Sequence, residues 1–113
     1  MARTTVTAID PVLAGTNLTY SSADAANGND VLFDRDLMVN ALNSNAATRT
    51  LTLKANGAKA QGVTIPDVTI TLPANTGNML VDEIPRDYFC QSDGKLQLDW
   101  SAATGVTFAV IKK

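Results

Sequence analysis

Polar and apolar positions alternate with period two through much of this chain. Leu51, Leu53 and Ala55 fall on one side of an extended backbone, and Thr50, Thr52 and Lys54 on the other. That is the pattern of a half-buried strand. Val68, Ile70 and Leu72 alternate in the same way with Thr69 and Thr71, and Leu96, Leu98 and Trp100 with Gln97 and Asp99. Val106, Phe108 and Val110 alternate with Thr107 and Ala109. Shorter β-type runs lie at Leu18–Tyr20, Val31–Phe33, Leu37–Leu42, Asn78–Glu83 and Tyr88–Cys90. Turn signals separate them, including Asn27-Gly28-Asn29-Asp30, Asn56-Gly57, Pro73 to Gly77, Ser92-Asp93-Gly94 and Ala103-Thr104-Gly105. The short turn at 73–77 predicts a hairpin between the runs at 68–72 and 78–83, and the turn at 103–105 predicts a second between the last two runs. No segment sustains helical spacing, although Asp24–Ala26 or Asp34–Val39 could hold one turn. About eight or nine short strands at roughly 8–12-residue spacing predict an all-β protein, a single compact β-sandwich or jelly-roll-like barrel.

The beginning of the chain reads differently. Residues 1–14 carry only Arg3 and Asp10 as charges, Pro11 interrupts them, and Ala14-Gly15 marks a break. Thr4, Thr5, Val6, Thr7 and Ile9 favour extended backbone. The expectation is an extended N-terminal arm over 1–14 and a β-sandwich domain over 15–113. A frayed terminus or an edge strand of the same sheet fits the same residues. Met1–Thr7 lacks the apolar centre of a signal peptide, so the chain is expected to be made and kept in a cytoplasm-like compartment or carried in a larger particle.

Composition narrows the chemistry. The 113 residues suffice for one core, and the formal charge of −2 is scattered, with no basic run longer than Lys112-Lys113. A nucleic-acid partner would need a basic stripe, and a membrane span would need a far longer apolar run, so neither is expected. The chain contains no His, which removes the commonest general base and metal ligand. Cys90 stands alone in an apolar run and reads as a structural thiol. No phosphate-binding glycine loop is present. Asp34 and Asp36 could share a face, whereas Asp82 and Glu83 should point to opposite faces of a strand; all four read as solvated charges. An oxygen-ligand calcium site from Asn27, Asn29, Asp30, Asp34 and Asp36 lacks the spacing of a 12-residue calcium loop. Trp100 shares the phase of Leu96 and Leu98 and reads as core rather than as a stacking platform. The threonines at 50, 52, 69 and 71 read as strand formers, with no array expected to continue from strand to strand. No enzyme activity, cofactor or metal is expected.

Several phrases carry a resemblance. They are Met1–Thr7, Ala25-Ala26-Asn27-Gly28-Asn29, Ala46–Leu53, Gln91–Lys95 and Ser101–Val110. Together they resemble small virion proteins of tailed double-stranded DNA bacteriophages and prophages, in particular head decoration (cement) proteins. The resemblance implies a compact β-sandwich or jelly roll with an extended terminal arm. It also implies a place on the capsid exterior after synthesis in the host cytoplasm, the major capsid protein as partner, and a homo-oligomer, with a trimer favoured. On that reading the arm lies along a neighbouring subunit or the capsid, with Arg3, Thr5, Val6, Ile9, Val12 and Leu13 as contact residues. Deleting residues 2–14 should then leave the fold intact. Another virion component (head fibre, neck or tail) and a carbohydrate-binding or adhesive β-sandwich are the alternatives.

Overall fold

Alternating sequence becomes paired strands in a computed structural model that describes residues 3–113; Met1 and Ala2, the start of the expected arm, lie outside the described residues. The strands are β1 (Thr4–Val6), β2 (Ser21–Ser22), β3 (Asn29–Leu32), β4 (Leu37–Asn43), β5 (Arg49–Leu53), β6 (Lys59–Ala60), β7 (Val63–Thr64), β8 (Val68–Leu72), β9 (Gly77–Val81), β10 (Lys95–Trp100) and β11 (Val106–Lys112). One helical turn, α1 (Arg86–Phe89), precedes β10. A five-stranded sheet in the order β1-β3-β10-β5-β8 packs on a four-stranded sheet in the order β2-β11-β4-β9. The β6–β7 hairpin stands in the connection from β5 to β8. The fold is all-β and sandwich-like, as the alternation predicts.

The apolar phase of each long strand faces the other sheet. Val31, Leu51, Leu53, Leu72, Leu96, Leu98 and Trp100 meet Val39, Ala41, Val106, Phe108 and Val110 in one buried cluster with Phe33 and Leu37. Trp100 and Phe108, from opposite sheets, stack with ring centroids 5.0 Å apart in a tilted arrangement. Trp100 is thus a core residue, as its phase predicts.

Both expected hairpins are absent. β8 pairs with β5 and β9 with β4, so the turn at 73–76 carries the chain from one sheet to the other. β10 pairs with β3 and β5, whereas β11 pairs with β4 and β2. Each expected pair is an arch across the core. Alternation requires only that one face be buried, and an arch satisfies this as well as a hairpin does. A buried asparagine secures the first of these crossings. Asn43, at the end of β4, donates through Nδ2 to the carbonyls of Ala47, Leu72 and Pro73 at 3.0–3.2 Å, and its Oδ1 accepts from Asn45 N. This ties the β4–β5 connection to the β8–β9 connection. Asn29 does the corresponding work beside the N-terminal segment.

Candidate interaction surfaces

The residues expected to form a docking arm divide into two groups. Thr4–Val6 pairs in parallel with Asn29–Val31 as the edge strand of the five-stranded sheet. Arg3 forms an ion pair with Asp99 and reaches the carbonyl of Leu98 at 3.3 Å. Thr5 donates its hydroxyl to Asp30 at 2.6 Å, and Val6 packs against the core. Ile9 bridges in parallel to Ile111: its N–H donates to Val110 O and its carbonyl accepts from Lys112 N, both at 2.7 Å. Arg3, Thr5, Val6 and Ile9 are therefore engaged with their own domain. The reason is local: an extended run without charge from 4 to 9 can supply the missing edge partner for β3 and then for β11. Removing residues 2–14 would strip the five-stranded sheet of its edge strand and β11 of its bridge to Ile9, so the expectation of an intact truncated fold does not follow from this arrangement.

Asn29 is the residue that sequence reading missed here. It is fully buried. Its Oδ1 accepts from Trp100 Nε1 and from Asp24 N, each at 2.9 Å, and its Nδ2 donates to Thr4 O at 3.1 Å. One amide thus joins β1, the β2–β3 loop and the core tryptophan, and its oxygen is fully occupied. Gly28 precedes it at φ +77°, and a Cβ there would collide with Arg3 and Asp99. Asp24 accepts from Thr4 Oγ1 at 2.6 Å and from Asn27 N at 3.1 Å. The Thr4 hydroxyl and then the Asn27 amide hold its carboxyl below the usual range. The Asx-rich sequence Asp24–Asp30 was the only signal for this cluster, and it reads equally well as an ordinary turn.

Val12 and Leu13 behave differently from the other four. After Ile9 the chain leaves the sheets until β2, and Gly15 N donates to Val12 O at 3.0 Å in a tight turn. Thr16 Oγ1 accepts from Val12 N at 2.9 Å, and Asp10 lies 3.6 Å from Arg35. Leu13 is wholly exposed at the tip, and Val12 is 61% exposed beside it. Leu18, on the same excursion, is also exposed. The base of the loop is thus anchored by β-pairing at Ile9 and again at Ser21–Ser22, while its tip presents apolar side chains to solvent.

A concave feature lies where β9 meets the helical turn. Asp36, Leu37, Asp82, Glu83, Ile84, Pro85, Arg86 and Lys113 line a half-open cavity of about 310 Å³. Asp82 and Glu83 lie past the end of β9, not within it, and Glu83 takes φ +56°. Both carboxylates consequently approach Lys113 Nζ, at 2.8 and 3.8 Å, instead of facing opposite ways. The hydrogen bond from Lys113 and then the Glu83 amide lower the Asp82 carboxyl pKa; the same contact raises that of Lys113. An aspartate so held stays ionised, which is the opposite of what a general acid needs. Asp34 does not line this cavity. Among the described residues no group of three His, Cys, Asp or Glu side chains could hold a metal ion.

The remaining expectations concern the sheet faces. Thr50 pairs with Thr71 and Thr52 with Thr69, so the threonines do form a two-by-two block across β5 and β8, contrary to expectation. The block ends at β10, where Asp99 stands opposite Thr52. Cys90 is half-buried and bridges to Leu96. Comparison of the chain with protein-family models, curated proteins and solved structures returned no match.

Proposed function

We propose that this protein is a non-enzymatic decoration protein that binds the outer surface of a tailed-phage head and bridges major capsid subunits. The reading rests on the sequence resemblance, and the observation that carries it is the anchored loop with Val12 and Leu13 at its tip. A rigid base limits the ordering cost of docking, because Ile9 and Ser21–Ser22 already hold both ends of the excursion. Burying an apolar side chain fully contributes about 1.5–3 kcal/mol. Val6 and Ile9 serve the protein's own fold, so the grip is confined to Val12, Leu13 and Leu18 and is weak for a single site. Durable attachment then requires many copies or several points of contact on the shell.

The test mixes the purified chain with undecorated, expanded heads of the phage or prophage that encodes it. The chain should co-sediment with the heads and add density to their outer surface in electron microscopy. Val12→Ser with Leu13→Ser should lower occupancy about 10-fold or more while leaving thermal unfolding unchanged, since both side chains are solvent-exposed. Heads that never retain the native chain would remove the proposed function. Full retention of the double variant would remove the loop from it.

A further inference from the structure

We propose that β8 is a self-pairing edge through which two copies of this chain join their five-stranded sheets about a two-fold axis. The inference is independent of the capsid reading. β8 is the last strand of its sheet, and its register with β5 runs unbroken through all five residues from Leu72 to Val68, so no bulge turns the edge away. Its sequence, Val-Thr-Ile-Thr-Leu, contains no charge and no proline. Edges of natural sheets are ordinarily blunted by one of these devices. Val68, Thr69 and Thr71 are exposed and Ile70 is half-buried.

The occupant is identified by the order of residues. An antiparallel two-fold centred on Ile70 sets Ile70 against its own copy, Thr69 against Thr71 of the second copy, and Val68 against Leu72 of the second copy. Every pair matches apolar to apolar or hydroxyl to hydroxyl, which are favourable cross-strand combinations. The two-by-two threonine block would continue across the seam onto the second copy's block. The nearest charge along the chain, Asp67 just before the strand, is already paired with Lys54 at 2.7 Å and accepts from Ala55 N, so the two-fold brings no bare like charges together. The neighbouring edge, β9, fails the same test: a two-fold on Met79 would set Asn78 against Leu80. The seam is short. Stable specific interfaces bury about 1,200–2,000 Å², so association through five residues should be concentration-dependent.

Sedimentation equilibrium of the full chain at roughly 1 µM to 1 mM reads this out. A reversible monomer–dimer equilibrium is expected. Thr69→Lys combined with Thr71→Lys sets like charges against each other twice across the seam and should weaken dimerisation about 10-fold or more. Thr69→Lys combined with Thr71→Glu sets opposite charges together in the same register and should restore it, increasingly so at low salt. Thermal unfolding of both variants at low concentration verifies the fold. A chain that stays monomeric throughout, a trimer, or a dimer indifferent to both double variants would each overturn the proposal.

Discussion

Along one edge of the sandwich, the N-terminal segment lies across both sheets: Thr4–Val6 completes the first and Ile9 extends the second beside β2. Arg3, Thr5, Asp24, Asn29 and Asp99 bind that segment down. Along the opposite edge, β8 and β9 end their sheets with five residues each and no charged side chain. The first edge ends in short strands of three and two residues that the chain ties down with its own side chains, at the expense of burying a polar amide that must be fully satisfied. The second ends in two five-residue strands, each with a neighbour on one side only among the described residues. The difference shows that a two-sheet protein of this size need not treat its two edges alike. It also separates residues that hold the fold from residues that remain for contact.

The largest test of that contrast is Asn29→Ala. It leaves Trp100 Nε1 and Asp24 N without their acceptor and Thr4 O without its donor. A loss of about 3 kcal/mol or more is expected in urea unfolding. Asn78→Ala on the opposite edge removes an acceptor for Asn40 Nδ2 that is exposed to water, and should cost less than about 1 kcal/mol. Equal losses would break the comparison.

Gly28→Ala is next. The left-handed φ and the collision with the Arg3–Asp99 pair should together cost about 1–3 kcal/mol. Combining it with Arg3→Ala should give less than the sum of the two single losses, because the clash then has one fewer partner. Strict additivity in a double-mutant cycle would show that the tying down of this edge does not depend on that packing.

The smallest expected effect is that of acid. Asp24, Asp67 and Asp82 all have carboxyls held below the ordinary range, through hydrogen bonds from Thr4, Lys54 and Lys113 respectively. A depressed folded-state pKa contributes stability that is present above the unfolded value and lost as pH falls through the folded one. The thermal midpoint should therefore decline below about pH 4. Asp24→Asn should remove part of that decline by taking away the first edge's share. All three groups are well solvated, so the slope is shallow. An unchanged pH profile in the variant would show that Asp24 contributes nothing to holding that edge.

Much of the fold was legible in residue order. Strands β5, β8, β10 and β11 follow directly from alternation, and Trp100 and Phe108 fall on the phase that alternation assigns to the core. The chain's changes of sheet were not legible, because Pro73–Gly77 and Ser101–Gly105 look the same whether they close a hairpin or an arch. The N-terminal residues show the same limit. Thr4–Ile9 reads as extended backbone, which an arm and an edge strand share. Val12 and Leu13 were recognisable as apolar residues beside a break. Nothing local distinguished them from Val6, which packs on the core, or Ile9, which the last strand pairs. Asn29 and Asp24 resembled ordinary turn residues until Trp100 and Thr4 were brought to them from distant parts of the chain.

Sequence alone determined the secondary-structure type, the inward face of most long strands and the palindromic order of β8, since these depend on each residue and its near neighbours. Tertiary structure alone decided which strands pair, which apolar residues remain exposed and which edge is tied down. Those outcomes depend on partners distant along the chain: Thr4 beside Asn29, Ile9 beside Ile111, and β8 with a neighbour on one side only. Backbone hydrogen bonding must be satisfied somewhere, but a local run of residues does not specify where its partner comes from.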